Sequence, residues 1–221
     1  MNYSIGIIDD DSTKITQLLT YLDLGWDDED GNLLKKKYEG VVLSPNEIKL
    51  ESTEEEMVHK VYEIKPDALI IDYKLSSQEN IAYSGVSLAE AIDAKLHDFP
   101  IFILTSFQDD VYSKECFDVY QVFDFERYIG DQNERLEINS KIVEQIRKYN
   151  RMILQWKSEL AALIPLKGTS VSIDDRIVEL DTWIENSIDG LSALSPKMKR
   201  DLGSNHIQEL IAKIDSIINE G

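Results

Sequence analysis

Oxygen-bearing side chains follow three short apolar runs in the first half of the sequence. Asp9 and Asp10 follow the first run, Asp72 follows the second and Thr105 follows the third. If the runs are parallel strands of one sheet, their carboxyl ends meet at one edge, where clustered carboxylates repel one another without a cation. Mg²⁺ prefers such oxygen ligands, and a carboxylate beside it can attack phosphorus. The pattern therefore predicts phosphoryl-transfer chemistry.

The segments around these runs alternate between strand-like and helix-like patterns. Apolar residues at positions 15, 18, 19 and 22 predict a helix over residues 12–24, with Ser12 or Thr13 as its N-cap. Ser52 and Thr53 each precede a Glu by three residues, which predicts a capping box and a helix ending near residue 64. The other predictions are a loop at residues 25–40, a strand within 41–43 or 48–50, a helix at 87–96 and a last strand at 119–123.

This order predicts a doubly wound sheet of five parallel strands with helices on both faces. The composition changes after about residue 135, so we expect two domains, 1–135 and an all-helical 136–221. Helices are predicted up to Pro165, over residues 173–194 and along an apolar stripe at 207–218. The first carries a heptad seam that is typical of a coiled coil, and this seam can be a bundle core or a dimer interface. Its residues are Ile142, Ile146, Tyr149, Ile153, Trp156, Leu160 and Leu163.

Charge and composition exclude several classes of function. The chain has 221 residues, is 43% hydrophobic and carries a formal charge of −19, so it would repel nucleic acid and anionic membranes. No apolar run approaches the ~20 residues that span a bilayer, and no signal peptide is recognisable. Cys116 is the single cysteine, which excludes an internal disulfide. We expect a cytoplasmic protein that binds neither nucleic acid nor membrane.

Four segments resemble, in order, the motifs of response-regulator receiver (CheY-like) domains. Residues 7–12 (IIDDDS) resemble the acidic-pair strand, and residues 68–75 (ALIIDYKL) resemble the strand with the phosphoacceptor. Residues 84–88 (SGVSL) resemble the Asp-Gly-x-x-Leu segment that opens the next helix, and residues 99–106 (FPIFILTS) resemble the switch-hydroxyl strand. The resemblance covers about the first 130 residues.

The resemblance implies a role for each matching residue. Asp72 would accept the phosphoryl group, and Thr105 would be the switch hydroxyl that binds its oxygens. Asp10, Asp72 and the Lys74 carbonyl would hold Mg²⁺, with Asp9 close by. The phosphodonor would be a histidine-kinase-like protein. The helical region would report the state through a protein partner or a self-dimer, and the chain itself would not be an enzyme.

The sequence departs from the receiver pattern at the end of the fifth strand. Receivers have a Lys there, whereas residues 120–127 read YQVFDFER, so that Phe125 holds its place. Arg127 is the candidate substitute, although a guanidinium does not act like the compact charge of an ammonium group. The missing Lys favours an alternative hypothesis, a pseudo-receiver that binds proteins without being phosphorylated.

A third hypothesis is a phosphatase, because residues 9–13 (DDDST) also fit the Asp-x-Asp-x-Thr motif of haloacid-dehalogenase-type enzymes. Asp9 would then be the nucleophile and Asp11 the general acid. This hypothesis leaves Asp72 and Gly85 without a role. Its remaining motifs would be Thr105-Ser106, Lys114 and Gly130-Asp131.

Overall fold

A computed structural model describes residues 1–26, 33–75, 81–106, 121–189 and 194–200. Its sheet has five parallel strands in the order β2-β1-β3-β4-β5, which confirms the predicted fold class. The order reverses direction between β1 and β3, the place where doubly wound sheets bind ligands. The strands are β1 (Asn2–Ile8), β2 (Val42–Glu47), β3 (Ala68–Asp72), β4 (Ile101–Thr105) and β5 (Val122–Asp124).

The central strands are apolar because both of their faces are covered. Every residue of β3 and β4 is buried, as expected for strands with helices on either side. Asp72 lies opposite Leu104 in the β3–β4 pair, and Thr105 lies opposite Asp124 in the β4–β5 pair. The register therefore places Asp72 and Thr105 at the same edge of the sheet.

The described helices of the first half are α1 (Ser12–Leu24), α2 (Leu33–Lys37), α3 (Glu54–Ile64) and α4 (Gly85–Asp93). They lie close to the predicted ones, except for α2, which was not predicted. The capping box of α3 is confirmed, with Thr53 as N-cap and Glu56 as its reciprocal partner. The predicted N-cap of α1 is wrong: Asp11 is the cap, and its carboxylate accepts hydrogen bonds from the backbone N–H groups of Thr13 and Lys14.

Other predictions in this half need correction. Residues 25–40 are not all loop, because α2 forms within them, and Tyr38 just after it stacks on Trp26 with ring centroids 4.4 Å apart. The second strand, β2, begins within the predicted range 41–43 and continues past Pro45 to Glu47. The fourth helix begins two residues before residue 87, since Ser84 caps it. Of the predicted last strand, residues 119 and 120 lie outside the described part of the chain, and β5 ends one residue later than predicted.

The remaining described helices are α5 (Phe125–Gly130), α6 (Gln132–Leu163) and α7 (Val171–Asp189), with a 3₁₀ turn at Ile164–Leu166. The chain divides into two compact units, Met1–Arg151 and Met152–Gly221. The predicted boundary at residue 135 stays a prediction. The helix predicted at 173–194 begins two residues earlier, and the stripe at 207–218 lies outside the described residues. Among the described helices, none is long and apolar enough to cross a membrane.

The heptad seam of α6 contributes to the interior of both units. Ile142 and Ile146 belong to the hydrophobic core of the first unit, where Tyr149 also meets the edge of Phe99. In the second unit, Trp156 of α6 contacts Trp183 of α7 with ring centroids 5.2 Å apart. These contacts favour an intramolecular core for the seam.

Candidate functional site

Three carboxylates meet where β1 and β3 end. Asp9 and Asp10 follow β1, Asp72 ends β3, and one oxygen from each lies within 4.8 Å of the others. β1 and β3 are hydrogen-bonded neighbours, with Ile8 opposite Ile71, so the register alone brings these residues together. The structure thus assembles the acidic cluster that strand-end positions predicted.

The Asp72 carboxylate is 4% exposed, and both of its oxygens accept hydrogen bonds. Lys14 donates from Nζ to Oδ1 over 2.9 Å, and the backbone N–H of Lys74 donates to Oδ2, also over 2.9 Å. These two contacts fix the orientation of the carboxylate, and the one from the Lys14 ammonium group is a charge-assisted hydrogen bond. The Lys74 backbone lies beside Asp72 as predicted, while the role of its carbonyl as a ligand stays a prediction.

One carboxylate oxygen of Asp9 is buried without a hydrogen-bond donor. Its side chain is 5% exposed, Oδ1 accepts the backbone N–H of Asp11 over 2.8 Å, and the buried Oδ2 has no hydrogen-bond partner. Burial, and then the negative charge of Asp72, raise the pKa of Asp9 to about 7. A buried carboxylate oxygen without a donor is the environment that a bound cation would complete, so these residues fit Mg²⁺.

Lys14 contacts the Asp72 carboxylate and is the residue of the cluster that the sequence did not predict. It lies in the first turn of α1, is 21% exposed, and holds Nζ 5.6 Å from the centre of the Phe125 ring. Burial lowers the pKa of Lys14, but the hydrogen bond and charge of Asp72 more than offset this, so the pKa is raised overall. A signal was available: a cation near a helix N-terminus opposes the helix dipole and suggests a specific anionic partner.

The structure does not bring Arg127 to the cluster. Its side chain lies on α5, is 66% exposed, and places a guanidinium nitrogen 3.7 Å from a Glu134 carboxylate oxygen. Phe125 is buried at the predicted position just after β5. Thr105 is fully buried at the end of β4, beside the strand that carries Asp72. Its role as a switch hydroxyl stays a prediction.

Gly85 lies against the backbone of the acceptor strand. A Cβ atom at this position would lie 1.9 Å from the Asp72 carbonyl oxygen, which is impossible without moving the backbone. Ser84 begins α4 through a capping box with Ser87. The match of this segment to the Gly of receivers therefore has a steric cause, the close approach of α4 to the end of β3.

The residues of the phosphatase hypothesis are only partly assembled. Asp11, the proposed general acid, caps α1, because its Oδ1 atom accepts the backbone N–H groups of Thr13 and Lys14. Lys114 lies outside the described residues. Asp9 is buried, with one oxygen bound to a backbone N–H group.

Solved structures similar to this chain include two PhyR proteins. One is the anti-anti-sigma factor PhyR from Bartonella quintana, with 13% identity and a TM-score of 0.43 over 70% of this chain and 51% of that one. Another is the response regulator PhyR from Brucella abortus, with 14% identity and a TM-score of 0.39 over 73% of this chain and 52% of that one. This chain therefore spans about half the length of these PhyR structures.

A third similar structure is described as a transiently phosphorylated switch in bacterial signal transduction. It has 15% identity and a TM-score of 0.38, over 68% of this chain and 99% of that one. No family model matches the sequence, and no curated protein does. The five parallel strands in the order β2-β1-β3-β4-β5 confirm the fold that the resemblance to response regulators predicted, and the chemistry of the site rests on the residues themselves.

Proposed function

We propose that this chain is a phosphoacceptor receiver of a two-component-like signalling pathway and that Asp72 takes the phosphoryl group. The observation that carries the proposal is the Asp72 carboxylate, held by Lys14 and the Lys74 backbone inside a cluster with Asp9 and Asp10. An oriented carboxylate next to a cation site is what nucleophilic attack on phosphorus requires.

In the transfer step an oxygen of the Asp72 carboxylate forms a bond to phosphorus. The bond between phosphorus and the donor atom breaks, and the donor keeps that electron pair. When bound, Mg²⁺ supplies positive charge that offsets the charge of the phosphoryl oxygens, and Asp9, Asp10, Asp72 and the Lys74 carbonyl would hold it. Each chain takes up one phosphoryl group, so the protein acts as an acceptor and not as an enzyme with turnover.

The partners are part of the same proposal. A histidine-kinase-like protein in the cytoplasm is the phosphodonor, and Thr105 binds the transferred group. Output passes through contacts of the helical region with another protein or a second copy of the chain. Large apolar side chains that stay exposed in the second unit support such contacts, and they include Leu154, Ile164, Leu166 and Val171.

Beryllofluoride, which mimics an acyl phosphate on Asp, gives a direct test. With Mg²⁺ present, we expect the wild-type protein to show a bound fluorine resonance in ¹⁹F NMR. The Asp72→Asn variant should not show it. Asp67→Asn is a matched control, because Asp67 is a half-buried acid that accepts the Ser4 backbone N–H away from the cluster, and it should bind normally.

Absence of an adduct in the wild-type protein, while a known receiver responds under the same conditions, would contradict the proposal. The pseudo-receiver hypothesis would then be favoured. The pseudo-receiver hypothesis requires that the Asp72→Asn variant keep the protein's biological activity. Under that hypothesis Asp72 is not phosphorylated and only pairs with Lys14.

A further inference from the structure

A lysine reaches the candidate acceptor from an unexpected element, the first turn of α1. We propose that Lys14 is the phosphoryl-binding cation of this protein, replacing the lysine that receivers carry at the end of the fifth strand. This inference rests on the proposed function and assigns a residue within its site. Lys14 would bind the Asp72 carboxylate before transfer and an oxygen of the phosphoryl group afterwards.

The position of Lys14 supports this assignment. Its Nζ atom lies 2.9 Å from Asp72 Oδ1 and 5.6 Å from the centre of the Phe125 ring. Phe125 directly follows β5, so the ammonium group lies between the acceptor and the side chain that took the place of the usual lysine. Lys14 thus supplies, from the first turn of α1, the charge that the end of β5 lacks.

The surroundings of Lys14 also explain why a lysine is stable there. Helix N-termini disfavour cations, because the first N–H groups already carry partial positive charge. Here Asp11 caps that turn, and the Asp72 carboxylate accepts a hydrogen bond from Lys14 Nζ over 2.9 Å. The Lys14 side chain is therefore held by a 2.9 Å contact with the buried Asp72 carboxylate, unlike an ion pair on the protein surface.

The assignment predicts opposite effects on two ligands. An ammonium group beside Asp72 competes with Mg²⁺ for the same carboxylates, so its removal should strengthen Mg²⁺ binding. A phosphoryl group or beryllofluoride adds negative charge that the ammonium group pairs with, so the same removal should weaken that binding. A residue that only supported the fold would move both affinities in the same direction.

The test compares Lys14→Met with two other variants of the full chain. Lys14→Arg keeps the charge. Lys60→Met is the matched control, because Lys60 lies on α3, is 25% exposed, against 21% for Lys14, and is ion-paired with Glu51. Calorimetry gives the Kd of Mg²⁺, ¹⁹F NMR gives the Kd of beryllofluoride at saturating Mg²⁺, and urea unfolding reports the stability of each variant.

For Lys14→Met we expect Mg²⁺ to bind about tenfold more tightly, and beryllofluoride about tenfold to a hundredfold more weakly, the range of a charge-assisted hydrogen bond. Lys14→Arg keeps the charge but not the compact ammonium group, so its Kd for beryllofluoride should lie between those of the wild type and Lys14→Met. Lys60→Met should match the wild type for both ligands. Unchanged beryllofluoride binding in Lys14→Met, or a parallel loss of both affinities, would overturn the inference and leave the proposed function standing. A wild-type protein without any adduct would overturn the proposed function itself.

Discussion

Replacing Asp9 with Asn should stabilise the metal-free protein, and the gain should grow as the pH rises from about 4 to about 7. In the folded state, burial and the neighbouring charge of Asp72 raise the pKa of Asp9 from 3.8 to about 7. Between these values the folded protein binds a proton that the unfolded chain has released. Stability therefore falls with rising pH in this window, and the Asn variant lacks that loss.

The size of the effect follows from the shift in the pKa of Asp9. One pKa unit corresponds to about 1.4 kcal/mol. Ionisation of Asp9 therefore lowers the free energy of unfolding of the wild-type protein by at most about 4 kcal/mol. We expect about half of that, roughly 2 kcal/mol, because the protein relaxes around a buried charge and so lowers its cost. Bound Mg²⁺ should cancel the penalty, since a cation next to Oδ2 favours the ionised carboxylate.

The assay is urea unfolding in the presence of a chelator at about pH 4.5 and about pH 8, followed by circular dichroism. The difference between Asp9→Asn and wild type should be larger at the higher pH, and added Mg²⁺ should stabilise the wild type more than the variant. Asp23→Asn, which removes an exposed carboxylate from α1, is the control and should leave the pH dependence unchanged. An Asp9→Asn difference that is the same at both pH values would refute the reasoning, because Asp9 would then ionise in the fold without cost.

Three further substitutions test the structure around the site. Gly85→Ala should lower the free energy of unfolding by at least about 1–3 kcal/mol in urea titrations. Gly130→Ala is the control and should not destabilise the protein, because a Cβ atom there meets nothing within 4 Å. Equal effects of the two substitutions would contradict the close approach of α4 to β3. Asn139→Ala should cost about 2–4 kcal/mol by the same measurement, because it leaves two buried hydrogen-bonding groups unpaired, while Ser140→Ala on the same helix should cost under about 1 kcal/mol. Arg127→Met should leave the Kd of beryllofluoride unchanged, and a tenfold loss would restore Arg127 as the substitute cation.

Much of the sheet could be predicted because its central strands are simple patterns. The buried runs of β3 and β4 are continuous and apolar, and the acidic and hydroxyl side chains directly follow them. Strand ends of a parallel sheet share an edge, so Asp9, Asp10 and Asp72 could be placed together without a structure. The capping box at Thr53 was equally local, since its two partners are three residues apart.

The elements that escaped prediction depend on tertiary contacts. β2 is an edge strand, and an edge tolerates Pro45 and polar side chains that obscure the strand pattern. α2 forms in a polar stretch, because Leu34 packs against the core and Tyr38 stacks on Trp26. Such contacts join residues that no short sequence window contains.

The site shows the same division between local and tertiary information. Arg127 was the candidate for the missing lysine because it follows β5 closely in sequence, but the structure places it on α5 beside Glu134. Lys14 is distant from β5 in sequence, and only the packing of α1 against the sheet edge brings its ammonium group to Asp72. The type of residue that the chemistry needs was predictable, but the element that supplies it was not.

The most direct test of the account is to identify the residue that is phosphorylated. The full chain is incubated with acetyl phosphate and Mg²⁺, the acyl phosphate is reduced with borohydride, and the modified peptide is located by mass spectrometry. The account predicts a single modified residue, Asp72, and no modification in Asp72→Asn. Modification of Asp9 instead would support the phosphatase hypothesis, and no modification under conditions that label a known receiver would contradict the claim that this site accepts a phosphoryl group.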